Sequence, residues 1–193
     1  KLRERRPKGI IFTGGPQSVY REESQHIDPR IFDMGIPILG FCYGQQIMAV
    51  ALGGRVGHTE RGEYGPARLR RQGSSRILGD TPAEQTVWMS HRDAVSDVPD
   101  GFVVTASTDG CPVAAMEDAG RRLFATQFHP EVRHTEHGTR MLRNFLFDVC
   151  GLKPSWTMEG VVQGMVDAIR AQVGSDRMIL ALSGGVDSSV VAA

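Results

Sequence analysis

Cysteine is scarce in this 193-residue chain: Cys42, Cys111 and Cys150 are the whole supply. An odd number with no C-x-x-C pair argues against a disulfide framework and predicts a reducing compartment, the cytoplasm. An excess of one charge is also lacking, since 22 Lys and Arg face 22 Asp and Glu. A zero balance removes the electrostatic ground for nucleic acid or an anionic membrane as a main partner. No apolar run approaches the ~18 residues of a membrane span, and no signal-peptide pattern opens the sequence. Internal repeats and low-complexity tracts are missing as well. What remains is the composition of an ordinary globular protein, 40% hydrophobic and 23% charged, with length for one domain of about 100–200 residues and part of another.

The first half alternates apolar strands with helices. "GIIFT" (9–13) runs into the turn "GGP", and a helix is expected near 25–34. "PILGF" (37–41) follows, and then Ile47, Met48, Ala51 and Leu52 recur at helical spacing until Gly53-Gly54. Strand, helix, strand, helix predicts an α/β fold with a mostly parallel central sheet and flanking helices. From about 55 to 128 the runs "ARLRR", "TVWMS", "FVVTAS", "PVAAME" and "RLFATQF" read as short strands, several separated by turn residues. "HGTRMLRNFLFDVCGL" reads as a helix stopped by Gly151. Residues 1–151 are thus expected to form one sheet-centred domain, 152–158 a linker, and 159–193 the opening of a second α/β unit. The start, "KLRERR", reads as the end of a helix and the finish, "DSSVVAA", as the start of one. The expectation is a first domain without its first strand and a second domain represented only by its opening strand, loop and helix.

The chemistry concentrates where a strand gives way to a helix. In "GFCYGQQ" Cys42 sits on that joint. A sharp turn lifts the side chain clear of the sheet, and a helix N-terminus favours the thiolate. Alone, Cys42 would read as a small apolar core residue. "QFHPEV" supplies what a nucleophile needs: His129 as base, and Glu131, two positions on, to orient it from the same face of an extended segment. An oxyanion needs N–H donors, and the helix start at Tyr43 and the turn "TGGPQ" offer two.

These three stretches, "TGGPQS", "GFCYGQQ" and "QFHPE", together resemble the signatures of class I (triad-type) glutamine amidotransferases, over residues 9 to about 150. The resemblance implies that Cys42 attacks the glutamine side-chain amide and that His129 and Glu131 complete the triad. It places the oxyanion hole at the N–H groups of Gly15 and Tyr43. Gln46 matches the residue that contacts the substrate. "WMSHRDAV" resembles the segment that binds the amino acid end of glutamine, implicating Ser90, Arg92 and Asp93, while His91 serves either binding or that loop's structure.

Ammonia in neutral water is mostly ammonium, so a glutaminase of this kind calls for an acceptor site. "LALSGGVDSS" (180–189) is a strand, a glycine turn and a helix start that could cradle an anion. It has neither the P-loop Lys nor G-x-G-x-x-G spacing, and alone it reads equally as a turn with a helix cap. It resembles the pyrophosphate loop of ATP pyrophosphatases, which implies ATP with Mg²⁺ as co-substrate, held at Ser183, Gly184, Gly185, Val186, Asp187, Ser188 and Ser189. The two resemblances in tandem imply a glutamine-hydrolysing ligase that aminates XMP to GMP, a homodimer at full length. A stand-alone γ-glutamyl cysteine hydrolase and an idle module of the same fold stay open. His134 and His137 are three apart, but no third or fourth ligand is evident, so a surface turn is expected there and no metal. The basic opening reads as a solvated helix face.

Overall fold

The computed structural model describes residues 2–15, 18–19, 27–154 and 158–192. Pro16 and Gln17 of the glycine turn, part of the helix expected near 25–34 and residues 155–157 of the expected linker lie outside them. The chain divides into two compact units, Lys1–Lys153 and Pro154–Ala193.

The first unit is built on a seven-stranded sheet. Its strands are β1 (Ile10–Phe12), β2 (Ile38–Phe41), β3 (Arg55–Arg71), β4 (Glu84–Asp97), β5 (Val103–Ser107), β6 (Ala115–Asp118) and β7 (Leu123–Thr126), in the order β1-β2-β7-β6-β5-β3-β4. β2 is central to the parallel part, bonded to β1 on one side and β7 on the other. All four residues of β2 are buried, which explains its unbroken apolar sequence. The expected α/β class holds, but the sheet is mixed rather than mostly parallel. The pairs β7–β6, β6–β5, β5–β3 and β3–β4 are antiparallel. Their connections give the reason: β6 and β7 are joined by only the four residues 119–122, whereas parallel neighbours need a crossover of about a dozen residues or more.

The two faces of the sheet carry separate cores. Leu39, Phe41 and Phe124 pack with Met141 and Phe145 on one face. Ile38, Leu123 and Ala125 pack with Met48 and Ala49 of α2 (Tyr43–Ala51) on the other. Successive residues of β2 and β7 alternate between these cores, as the pleat requires. The helix expected after residue 137 is present in two forms, α3 (Gly138–Arg143) and a π-helical stretch, Asn144–Val149. The buried Asn144 amide donates to the carbonyls of Ile77 (2.9 Å) and Gly79 (2.7 Å), tying that stretch to the β3–β4 connection. The short α1 (Leu2–Arg5) precedes β1, and the described part of the 25–34 stretch contains a 3-10 turn, Pro29–Ile31.

In the second unit α4 (Met158–Val173) and α5 (Val186–Ala192) are helical. The strand expected to lead into the glycine turn of 180–189 is not formed; residues 177–182 have no regular structure. A strand exists only as one of a hydrogen-bonded pair, and among the described residues no segment pairs with this one.

Candidate active site

The joint between β2 and α2 is tight enough to need glycine on both sides. A Cβ on Gly40 would lie 2.7 Å from the Gly44 carbonyl oxygen, and one on Gly44 only 2.3 Å from that of Phe12. Between them Cys42 adopts φ 49° and ψ −106°, a conformation that side chains other than glycine rarely hold. It is fixed from both ends: its N–H donates to Thr126 of β7 (2.8 Å), and its carbonyl accepts from Gln45 and Gln46 (3.0 and 3.2 Å). The side chain is thereby projected off the end of the sheet, and Sγ contacts the Ser90 carbonyl at 3.6 Å.

His129 arrives from just beyond β7, the strand to which Cys42 is bonded. Its backbone N–H donates to Trp88 (3.1 Å), and its carbonyl accepts from Thr135 (2.6 Å). The ring's Nδ1 is 2.8 Å from Glu131 Oε1, which leaves Nε2 for the Cys42 side chain beside it. The thiol and then the carboxylate hold the imidazole pKa up at about 10, against the opposing effect of burial. For Glu131 burial pushes the pKa upward, but the bond to His129 and its own backbone N–H outweigh this and lower it. Cys42, His129 and Glu131 are therefore brought together in the expected order. The extended segment expected to align the last two is instead a bend and turn over 127–132. Pro130 shapes that turn, so the contact survives the change of local structure.

A cavity of about 350 Å³ opens beside the sulfur, lined among others by Gly15, Tyr43, Gln46 and Ser90. Tyr43 is the first residue of α2, so its N–H is among those lacking an intrahelical acceptor. The glycine turn crosses the site closely. A Cβ on Gly14 would stand 2.9 Å from His129 Cε1, and one on Gly15 3.3 Å from the Tyr43 ring. Gln46 lines the cavity, but its amide is already engaged: Nε2 donates to the Asp93 carbonyl (2.7 Å) and to Gln127 Oε1 (3.2 Å). Ser90, Arg92 and Asp93 also line it, the first two exposed and Asp93 buried. Asp93 is held by Ser18 (2.7 Å) and by His58.

The register of β3 against β4 brings in residues that sequence reasoning missed. His58 lies opposite Asp93 and Glu63 opposite His91, with a bulge on β3 between them. Gly62, at φ 62°, sits in that bulge, where a Cβ would be 2.8 Å from the His91 carbonyl oxygen. His91 is buried and bonded to the Asp93 carbonyl and to Glu63 (both 3.1 Å), so it braces its loop from within. No local signal announces His58 or Glu63, because their partners are set by a bulge between distant strands. His134 and His137 are apart from the cavity lining: His134 stacks on Trp88 (centroids 4.5 Å apart) and His137 precedes α3 as its N-cap.

In the second unit the 183–189 loop is exposed and turned on itself. The hydroxyls of Ser188 and Ser189 donate to the Gly185 carbonyl (3.1 and 2.8 Å), and Ser183 Oγ is 3.0 Å from Ser188 Oγ. Gly184 turns the chain at φ 78° with open space around it, Val186 starts α5 and Asp187 stands in its first turn.

A strand-to-helix elbow carrying a thiol, with a His–Glu pair delivered by the neighbouring strand, defines a class, and comparison bears this out. Residues 1–149 match the family profile of glutamine amidotransferase class-I, and the chain belongs to that family. Among curated proteins it is 49% identical over 192 residues to GMP synthase [glutamine-hydrolyzing] of Bacillus cereus. It is 54% identical over 191 residues to the protein of that name in Heliobacterium modesticaldum. The chain is covered almost completely in both alignments but spans only 38% and 37% of those relatives' lengths. Among solved structures it superposes with TM-score 0.65 and 32% identity on a Thermoplasma acidophilum protein provisionally assigned as one of the subunits of a GMP synthase, covering 81% of this chain and 76% of that one.

Proposed function

We propose that the first unit hydrolyses glutamine to glutamate and ammonia for a ligase that aminates XMP to GMP at the expense of ATP. The observation that carries this reading is the grouping of Cys42, which lines the cavity, with His129 beside it and Glu131 bonded to the far side of the imidazole. Cys42 Sγ, its proton taken by His129, attacks the amide carbon of glutamine. The tetrahedral oxyanion faces the N–H groups of Gly15 and Tyr43. Collapse expels ammonia, protonated through His129 Nε2, and leaves a γ-glutamyl thioester. Water, activated by the same imidazole, releases glutamate and restores the thiol. Glu131 keeps the proton on Nδ1 and stabilises the charged ring, as the carboxylate of any such triad does. In this reading Asp93 accepts the substrate's α-ammonium and Arg92 meets its α-carboxylate, while Ser90 and Gln46, which line the same cavity, shape the wall between them and the sulfur. No step requires a resident cofactor.

The ammonia is consumed where ATP activates XMP, giving GMP, AMP and pyrophosphate. The 183–189 loop fits a pyrophosphate in donor chemistry: three hydroxyls, the N–H groups of a helix start and a glycine turn with nothing near Gly184. Mg²⁺ accompanying ATP would neutralise phosphate charge there, with Asp187 the carboxylate of the loop. Alkylation by a glutamine-analogue diazo-ketone tests the first half in the full-length protein. Labelling at Cys42, lost in His129→Ala, is expected, and an unlabelled Cys42 sinks the glutaminase. ATP- and XMP-dependent GMP formation tests the second half. Glutamine hydrolysis without it would leave a stand-alone hydrolase.

A further inference from the structure

Behind the cavity wall lies a second set of thiol, imidazole and carboxylate that the proposed chemistry does not use. Sγ of Cys111, a ring nitrogen of His91 and a carboxylate oxygen of Glu63 all lie within 4.8 Å of one another. The described residues contain no other group of three or more such side chains this close. They come from three places, β3, β4 and the turn after β5, so the fold rather than local sequence assembles them. Cys111 is 0% and His91 4% exposed.

Two features give this cluster the form of a cation site. The first is the direction of the imidazole. His91 Nδ1 faces the Asp93 carbonyl at 3.1 Å, an atom that can only accept, so Nδ1 carries its proton. Nε2 then faces a carboxylate, another acceptor, at 3.1 Å. That nitrogen is therefore the one aimed into the cluster, towards its second donor. The second feature is the outer layer. A ligating His donates its other N–H to a carbonyl, and a ligating carboxylate is itself hydrogen-bonded. Here Asp93 does the first, and Thr108 Oγ1 does the second, donating to Glu63 (2.8 Å) while accepting the Cys111 N–H (3.0 Å).

We propose that Glu63, His91 and Cys111 form a binding site for a single divalent cation of the zinc class, with water as a fourth ligand. The mixed N, O and S donor set selects Zn²⁺ or Co²⁺ over Mg²⁺ or Ca²⁺. In a tetrahedral zinc site the ligand atoms stand about 3.3–3.7 Å apart; the His91–Glu63 pair at 3.1 Å would widen slightly, and Cys111 Sγ, within 4.8 Å of both, would close in to reach that. On loading, the Cys111 thiol proton, with any proton held between the other two ligand atoms, passes to solvent as one N, one O and one S bond to the metal form. Entry is from the cavity, which His91 lines. The bound ion would tie β3 and the 108–111 turn to the segment that carries Ser90, Arg92 and Asp93.

Titration of the full-length protein with Co²⁺ alone, followed by near-ultraviolet absorption, tests the site. The expected result is a thiolate-to-cobalt charge-transfer band that saturates at one equivalent and is bleached by Zn²⁺. It should persist in Cys42→Ser and vanish in Cys111→Ser. Glu63→Gln, which keeps the shape and the Thr108 contact, should weaken Co²⁺ binding tenfold or more and decides the matter if Cys111→Ser does not fold. No band in the wild type, a band surviving in Cys111→Ser, or undiminished affinity in Glu63→Gln overturns the proposal.

Discussion

Replacing Gly44 by alanine puts one methyl group where the fold has no space for it. Its Cβ would lie 2.3 Å from the Phe12 carbonyl oxygen and 2.8 Å from the carbonyl carbon, where ordinary contact begins at 3.4 Å. The obstacle is backbone of β1, so no side chain can swing aside, and β1 and α2 must separate by about 1 Å. Overpacking of this kind costs about 1–3 kcal/mol. The better helix propensity of alanine returns about 1 kcal/mol, leaving a net loss of up to about 2 kcal/mol. In a domain of this size that lowers Tm by up to about 8 °C. The larger effect is on position: α2 starts at the nucleophile, and a 1 Å misplacement of a reacting group can cost about 100-fold in rate. Glutaminase kcat/KM and a thermal melt on full-length Gly44→Ala measure both. Gly164→Ala is the control, since Gly164 lies within α4 with nothing inside 4 Å of the added methyl. Wild-type kcat/KM in Gly44→Ala would refute the view that this backbone contact positions the thiol.

The raised His129 pKa makes stability depend on alkaline pH. Its folded value of about 10 exceeds the ordinary 6.5, so the stabilisation is complete below about 6.5 and disappears as pH rises through about 10. Because the thiol is the larger cause, Cys42→Ala should lower the imidazole pKa, read by NMR titration, more than Glu131→Gln does; the reverse order would contradict the geometry. Glu131→Gln should reduce kcat of glutamine hydrolysis while leaving diazo-ketone labelling of Cys42 detectable, since thiol and imidazole remain paired. Gln46→Leu removes the 2.7 Å donor to the Asp93 carbonyl, a loss of about 1–2 kcal/mol, and should raise KM for glutamine more than it lowers kcat.

What could be read in the sequence was what local structure decides. Gly40, Cys42 and Gly44 make an elbow through their own backbone geometry, and His129 and Glu131 are close enough along the chain to meet even in a turn rather than a strand. The mixed sheet was less legible, because buried strands of either pairing look alike and only the length of their connections distinguishes them. The 177–182 run carries the apolar sequence of a strand, yet pairing depends on a neighbour the run itself does not specify. His58 and Glu63 were invisible for a related reason: a bulge near Gly62 advances β3 against β4, and no rule applied to either strand alone locates it.

Residue type is also a poor guide to chemistry at the second cluster. Cys111, His91 and Glu63 repeat the three side-chain types of Cys42, His129 and Glu131. What differs is the setting. Cys111 is enclosed, and burial, with the Glu63 charge adding to it, drives its thiol up to about 12; until a cation displaces the proton such a sulfur stays protonated, and it has no substrate to meet. Cys42 has a strained elbow beneath it, a helix start beside it and a 350 Å³ cavity in front. His129 Nε2 is offered to a sulfur that a substrate can reach, whereas His91 Nε2 is offered to a carboxylate inside the protein. The first arrangement moves a proton during a reaction. The second holds a positive charge in place, and the same three side chains serve either end according to whether the fold leaves a path for a reacting carbon.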